Sequence, residues 1–229
     1  MDETIKFVIK MGKEVNLLAN YPKSKRNIYE RQSEKTEEDR QIARKFGKDF
    51  FDGERKHGYG GFSYNPKFWK PVIPDLKKYW NLNTKSSILD VGCGKGFMLY
   101  DILKLISGIN LKGIDISDYA IKNCLPEVKK YLQVGNAKKL PFSDNFFDVV
   151  ISINTIHNLE RPDCAVALKE ISRVSKKYSF ITVDAYRNEE EKKRMLAWNL
   201  TAKTIMSVKD WKSFFLESGY NGDYYWFIP

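Results

Sequence analysis

The chain has 229 residues, of which 42% are hydrophobic and 14% aromatic, so it can bury a sizeable core and is neither disordered nor fibrous. Its 39 Lys and Arg against 29 Asp and Glu give a formal net charge of +10. Residues 1–80 hold 18 basic and 12 acidic residues, so +6 of that charge lies in the first third of the chain. The charge alone is compatible with a nucleic-acid partner, an acidic substrate or a soluble surface.

Cysteine use and hydropathy indicate the compartment. Cys93, Cys124 and Cys164 are odd in number and far apart, so neither a disulfide framework nor a metal cluster is expected, and no metal ligand is assigned. No apolar run approaches the roughly 18 residues of a membrane-spanning helix. Charges interrupt the first residues throughout, which is unlike a secretory signal. We therefore expect a cytoplasmic protein.

The first predicted elements are helical. Residues 1–35 are polar and irregular and read as loop or a short helix. Thr36 followed by three acids is typical of a helix start. Ile42, Phe46 and Phe50 then recur at spacings of four, which predicts one continuous helix face.

A Gly- and aromatic-rich segment without any period follows at residues 57–69. The apolar residues of 67–80 again recur every four positions and predict an amphipathic helix, with Pro71 and Pro74 tolerable only near its first turn.

After residue 85 the pattern changes to strands alternating with helices. This alternation predicts an α/β fold, a Rossmann-like, mostly parallel sheet with helices on both faces, and the last strand at an edge. Residues 1–84 form a helical and aromatic-rich extension, and residues 85–229 form the sheet domain. Strands are predicted at 87–91, 111–116, 132–134, 148–153, 179–183 and 224–228, and helices at 97–106, after 117, at 163–175, 188–203 and 207–217.

A glycine loop follows the first strand of the sheet. Gly92, Gly94 and Gly96 alternate there, and Asp115 ends the next strand 19 residues later. An acid at that distance reaches ribose hydroxyls in nucleoside-binding folds. Asp90 precedes the loop, where a carboxylate would repel a pyrophosphate but suits an ammonium or sulfonium group.

Four motifs around this loop resemble those of one enzyme family. They are D-V-G-C-G-K-G at 90–96, G-I-D-I-S at 113–117, G-N-A at 135–137 and L-P-F-S-D-N-F-F-D-V-V at 140–150. In this order they resemble class I S-adenosylmethionine-dependent methyltransferases, in the small-molecule, type 11-like branch. The resemblance covers residues 85–160 and implies S-adenosylmethionine as cofactor and S-adenosylhomocysteine as product.

The resemblance also implies which residues hold the methionine and ribose of the cofactor. Asp90 would orient the methionine amino group, and the backbone of Gly92, Cys93 and Gly94 would line the cofactor. Asp115 would hold the ribose hydroxyls.

Further residues are implied for the adenine and the sulfonium. Ile116 would pack on the adenine ring, and Ala137 would offer its backbone N–H to it. Asn136 stands where the family usually has Asp, and its amide oxygen can still accept from the adenine amino group. Asn154 would lie beneath the sulfonium.

Methyl transfer from a sulfonium needs little acid–base help, since the leaving group is a neutral thioether. A base is needed only for a hydroxyl or protonated amine acceptor. His157 follows the fourth strand, and its ordinary pKa suits that role. The alternative is that His157 packs in the loop beneath the cofactor.

Aromatic residues outside the motifs are candidates for the acceptor site. His57, Tyr59 and Tyr64 belong to a segment that we expect to form a lid or pocket wall. Residues 184–187, which leave the carboxyl end of a strand, form a second possible lid with Trp198 of the following helix, and Tyr186 is its candidate for the acceptor site. For Trp198 the favoured alternative is packing in the core. The alternative for the N-terminal segment that holds His57, Tyr59 and Tyr64 is packing against the sheet edge through its aromatic side chains.

The predicted function is methyl transfer to a small-molecule acceptor, at O or N, such as a sugar or polymer precursor. Alternatives are an RNA or protein methyltransferase, a non-catalytic cofactor-binding domain and, least supported by the glycine spacing, a dehydrogenase. Basic residues are mostly mixed with acids, as at 37–48 and 189–194, so a nucleic-acid partner is not expected. The acceptor and the oligomeric state stay open.

Overall fold

The computed structural model describes residues 12–23, 28 and 35–229, so the prediction for residues 1–35 falls largely outside it. None of the described helices is both long and apolar enough to cross a membrane. The described helices are α1 (Glu37–Ala43), α2 (Lys48–Asp52), α3 (Pro66–Trp69), α4 (Ile73–Trp80), α5 (Phe97–Leu105), α6 (Asp118–Lys122), α7 (Arg161–Val174), α8 (Glu189–Trp198) and α9 (Val208–Glu217). The strands are β1 (Ser87–Val91), β2 (Asn110–Asp115), β3 (Leu132–Val134), β4 (Phe147–Ile153), β5 (Ser175–Tyr186), β6 (Met206–Ser207) and β7 (Asp223–Phe227).

The strands form one sheet in the order β3-β2-β1-β4-β5, with β6 and β7 both paired to β5, and each of these pairs is parallel. The predicted α/β sheet is therefore confirmed. The strand order reverses at β1, so ligands are expected beyond the carboxyl ends of β1 and its neighbours. Among the described strands β7 pairs with β5 alone, as predicted for an edge strand, and the backbones of Lys13 and Val15 hydrogen-bond to Tyr224 of β7.

Apolar side chains cover both faces of the sheet. Along β1, Leu89 and Val91 pack with α7 and α9, whereas Ile88 packs on the opposite face with α4 and α5. The same alternation appears in β4, where Val150 belongs to the first group and Val149 to the second. A strand that is apolar on successive residues is what a sheet covered on both faces requires.

The N-terminal helices differ in one respect from the predicted pattern. Thr36 caps α1 as predicted, since its hydroxyl accepts the Asp39 N–H and the Asp39 carboxylate accepts the Thr36 N–H. The continuous helix predicted through Phe50 is wrong. Phe46 adopts a left-handed φ of 50°, and Gly47 then begins α2.

The single helix predicted over residues 67–80 is divided into α3 and α4. Pro74 lies in the first turn of α4, where a missing backbone N–H is tolerated. Ile73, Leu76 and Trp80 of α4 are buried in the same core as β1 and β2. The N-terminal extension and the sheet thus share one core.

Candidate functional site

A cavity of about 1260 Å³ opens at the carboxyl ends of the strands. Gly92 after β1, Asp115 at the end of β2, Asn136 after β3 and Asn154 after β4 all line it. It therefore lies at the point where the strand order reverses. Its volume exceeds the roughly 300–1,000 Å³ of an ordinary small-molecule site. A cofactor and a second ligand can fit side by side.

The loop after β1 brings backbone rather than side chains to the cavity. Gly92 has a φ of 87°, and a Cβ there would lie 2.0 Å from Thr155 Oγ1. Gly94 has a φ of 54°, and a Cβ there would touch the Phe62 ring at 3.4 Å. Cys93 also lines the cavity, and burial raises the pKa of its thiol, which therefore stays uncharged.

Two carboxyl groups lie behind this loop. Asp115 accepts the Gly94 N–H at 2.7 Å and the Ser117 N–H at 2.8 Å. Burial raises the pKa of Asp115 above 3.8, and these two hydrogen bonds oppose part of that shift. Burial, and after it the charge of Asp115, raise the pKa of Asp90 from 3.8 to about 8. No hydrogen bond from the described residues reaches the Asp90 carboxyl, which is 4% exposed and lines the cavity. A cationic ligand group would stabilise its charged form, as the sequence predicts.

The other residues predicted to contact the cofactor line the same cavity. Ile116 is 57% exposed, which leaves an apolar side chain open to a flat ring, and Ala137 lies nearby in the wall. The Asn136 amide oxygen accepts a backbone N–H two residues on at 2.9 Å and keeps a second lone pair. Asn154 has a φ of 49°, and its amide oxygen accepts the Thr182 hydroxyl at 2.8 Å, so its side chain is fixed in the wall.

Residues 44–64, which we call the aromatic lid, form the wall beside the glycine loop. Neighbouring rings of the lid lie 4.1–5.9 Å apart and form one layer. The lid therefore includes α2 as well as the aromatic segment that the sequence singled out. Its rings that line the cavity are Phe46, Phe50, Phe51, Tyr59 and Phe62.

Asp52 attaches the lid to the loop. Its carboxylate accepts Lys95 Nζ at 2.7 and 2.9 Å, the Tyr119 hydroxyl at 2.7 Å and the Phe62 N–H at 2.9 Å. Burial raises the pKa of Asp52, but the hydrogen bonds outweigh it and hold the pKa below its usual value. The Lys95 side chain is only 8% exposed, so salt screens this ion pair weakly.

His157 lies beneath the cavity and is not one of the described lining residues. It is 3% exposed, and its Nδ1 accepts the Asp184 N–H at 2.9 Å. Its carbonyl oxygen accepts the N–H groups of Lys203 and Thr204. Burial lowers the pKa of His157 below 6.5, although the Asp184 carboxylate opposes this shift. The placement corrects the expectation of a base facing the acceptor and favours the packing alternative.

The four side chains predicted to contact the acceptor do not share one site in the structure. Tyr59 lines the cavity, and the other three are not among the described lining residues. His57 lies 2.9 Å from a carboxylate of α1, and Tyr64 donates its hydroxyl to a carboxylate of α5 at 2.7 Å. The Tyr186 ring lies 5.6 Å from an ammonium of α8. An aromatic-rich segment predicts a wall but not which of its side chains face inward.

Two parts of the wall differ from the favoured prediction. Trp198, expected in the core, is half-buried and lines the cavity one turn after Arg194. Arg194 and Trp198 are four residues apart on α8, so they lie on one face of the helix, and this spacing is the sequence signal for the pair. Residues 225–229 also line the cavity, because β7 brings them back beside β5.

The glycine loop and the acids at the ends of β1 and β2 thus define an α/β domain that binds a nucleoside cofactor. Residues 89–183 match a family model described as a methyltransferase domain. A sterol 24-C-methyltransferase of Gibberella zeae is 32% identical over 124 residues, which are 48% of this chain and 31% of that protein. A tRNA (carboxymethyluridine(34)-5-O)-methyltransferase of Arabidopsis thaliana is 34% identical over 145 residues, 62% of this chain and 33% of that protein. The chain spans about a third of the length of these relatives.

A solved structure of a phosphoethanolamine N-methyltransferase from Haemonchus contortus, in complex with phosphomonomethylethanolamine and S-adenosylhomocysteine, shares the fold. Its TM-score is 0.56 at 21% identity, over 77% of this chain and 44% of that chain. The resemblance seen in the sequence motifs is confirmed over the matched residues: residues 89–183 carry a class I S-adenosylmethionine-dependent methyltransferase domain.

Proposed function

We propose that the protein transfers the methyl group of S-adenosylmethionine to the O or N atom of a small molecule. The observation that carries this proposal is the convergence of the glycine loop, Asp90 and Asp115 on one wall of a cavity large enough for a second ligand. The cofactor supplies a methyl group on a sulfonium, whose neutral thioether leaves without protonation. The relative from Gibberella zeae, named for a sterol substrate, supports a small-molecule acceptor.

In this proposal the chain binds and aligns the two ligands and supplies no base, so the acceptor atom is either a neutral amine, which releases its proton to solvent after methylation, or an oxygen that is already ionised. Asp90 holds the methionine amino group, Asp115 the ribose hydroxyls and Asn136 the adenine amino group, while Asn154 borders the reacting centre. The described lining residues include no histidine. The rate enhancement then comes from alignment of the acceptor with the methyl group and from exclusion of water.

The N-terminal extension supplies the lid and part of the acceptor wall in the same proposal. The rings of the aromatic lid lie over the glycine loop, and Asp52 and Lys95 join the two. Trp69, after the lid, also lines the cavity. Closing these aromatic groups over both ligands would keep water from the reacting atoms.

Calorimetric titration with S-adenosylhomocysteine tests the cofactor half of the proposal, and NAD serves as the comparison ligand. We expect S-adenosylhomocysteine to bind near micromolar Kd and NAD to bind far more weakly. Asp115→Ala should weaken binding about tenfold or more, since hydrogen bonds to a charged group are lost. Asp118→Ala, at an exposed carboxylate on α6, is the matched control and should bind as the wild type does. Failure of the wild type to bind, or equal binding of NAD, contradicts the proposal.

An RNA acceptor is the second candidate function. The net charge of +10 and the relative named as a tRNA methyltransferase favour it. Filter binding with unfractionated tRNA separates the two candidates. A small-molecule enzyme should bind tRNA only weakly and lose it as salt rises, whereas submicromolar binding at 150 mM salt, roughly physiological ionic strength, would favour RNA.

A further inference from the structure

The charged side chains that line the described cavity wall fall into two groups of opposite sign. The acids, Asp90 and Asp115, belong to the cofactor wall at the ends of β1 and β2. The remaining charged side chains are all basic: Lys23, Arg44, Arg187, Arg194 and Lys203. The part of the cavity away from the cofactor wall is therefore cationic.

Three of these basic residues lie together along the chain, after the carboxyl end of β5. Arg187 follows β5 directly, Arg194 is on α8, and Lys203 follows α8. The cofactor wall occupies the ends of β1, β2 and β3, so the ends of β4 and β5 remain for the acceptor. The cationic residues after β5 thus border the acceptor half.

Arg194 differs from Arg187 and Lys203 in having no partner for its charge among the described residues. Arg187 pairs with Glu191 at 3.4 Å, and Lys203 pairs with Glu160 at 3.3 Å. Arg194 is half-buried, and no described residue gives it an ion pair or a hydrogen bond. A guanidinium that lines the cavity without a protein acceptor is available to a ligand, and its planar fork matches phosphate or carboxylate oxygens.

Two further observations agree with an anion in this space. Arg44, on the aromatic lid, adds a second guanidinium to the described wall, although it pairs with Glu37 at 2.9 Å. Trp198 follows Arg194 by one helical turn and packs with Phe227 at a ring-centroid distance of 5.5 Å, so both rings add apolar surface to the same wall. The described wall thus combines the guanidinium of Arg194 with aromatic side chains.

We propose that the acceptor is an anionic small molecule whose phosphate or carboxylate binds Arg194 and whose apolar part packs on Trp198. This inference rests on the proposed methyl-transfer function, since it assigns the second ligand of the same cavity. It makes Arg194 a specificity-determining residue for the acceptor and gives it no role in binding the cofactor.

Calorimetry on the full chain saturated with S-adenosylhomocysteine tests the inference, with phenyl phosphate, benzoate and benzyl alcohol as probes. Phenyl phosphate or benzoate should bind at least about tenfold more tightly than neutral benzyl alcohol, because charge-assisted hydrogen bonds are the stronger class. The two anions compared with each other show which anionic group the site prefers. Arg194→Gln should weaken the preferred anion about tenfold or more. Lys193→Gln, at an exposed cation on the same helix outside the described lining, is the matched control and should change nothing.

The first step of this experiment, saturation with S-adenosylhomocysteine, separates two kinds of failure. If S-adenosylhomocysteine does not bind, the proposed function fails. If it binds but neither anion is preferred over benzyl alcohol, or Arg194→Gln binds the anion as the wild type does, the anionic acceptor is overturned and the proposed function stands. A loss of S-adenosylhomocysteine affinity in Arg194→Gln would also overturn it, because it would place Arg194 at the cofactor.

Discussion

Replacing Asp90 by Asn should stabilise the ligand-free protein at neutral pH while weakening its hold on the cofactor. Burial and the charge of Asp115 raise the pKa of Asp90 from 3.8 to about 8, so ionisation favours the unfolded chain between these values. A carboxyl whose pKa is raised by folding stabilises the protein at low pH, and that stability is lost as pH rises towards about 8. Each pH unit in this window removes up to about 1.4 kcal/mol from the free energy of unfolding of the wild type. The variant lacks the titrating group and escapes this loss.

Urea denaturation of both proteins at pH 5, 6 and 7 measures the effect. From pH 5 to pH 7 the free energy of unfolding of Asp90→Asn should rise, relative to the wild type, by up to about 3 kcal/mol. Titrating groups that do not interact with Asp90 cancel in the difference, and the interaction with Asp115 is part of the measured effect. Asp118→Asn, at an exposed carboxylate, should show no such change. If the free energies of unfolding of Asp90→Asn and the wild type change with pH in the same way, Asp90 is ionised throughout in the folded protein and the reasoning is refuted.

Three other substitutions test the loop, the lid and the buried histidine. Gly92→Ala should abolish binding of S-adenosylhomocysteine, because a Cβ there clashes with Thr155. Gly108→Ala, at a φ of 86° in open space, should keep that binding and cost only about 1–2 kcal/mol of stability. Equal binding by the two variants would remove the steric argument. Asp52→Asn should weaken S-adenosylhomocysteine binding about fivefold, because the lid loses its attachment to the glycine loop. Asp49→Asn, exposed on the same helix, should leave the affinity unchanged. Unchanged affinity in both variants would show that the lid plays no part in cofactor binding. His157→Ala should keep that binding but lose about 2–3 kcal/mol of stability. Because burial lowers the pKa of His157, the wild type, unlike this variant, should lose stability as pH falls below 6.5, and equal pH dependence would show that the ring is not held neutral.

The cofactor wall could be predicted from the sequence because its determinants are local. A short apolar strand, glycines that tolerate positive φ, and an acid at the end of the next strand specify a loop geometry without distant contacts. The cap of α6 is local in the same sense, since the Ser117 hydroxyl accepts an N–H three residues on.

The acceptor wall could not be predicted because it depends on contacts between distant segments. Asp52 and Lys95 are 43 residues apart in the chain, and nothing near either one indicates the other. The left-handed backbone at Phe46, unfavourable for a bulky residue, turns the lid towards the loop and breaks a helical pattern that looked continuous. His157 has the residue type and position of a base, yet burial decides its place, and burial is a property of the whole fold.

The joint between Asp52 and Lys95 has a kinetic consequence. The rings of Phe51 and Phe62 lie next to Gly94, so we expect a nucleoside seated on the glycine loop to exchange with solvent mainly when this joint opens. We therefore expect an ordered reaction, in which the cofactor enters first and its demethylated form leaves last. Turnover would then be paced by opening of the lid rather than by the transfer itself. A burst of methylated product in the first turnover, followed by a slower steady state, is the signature of that order.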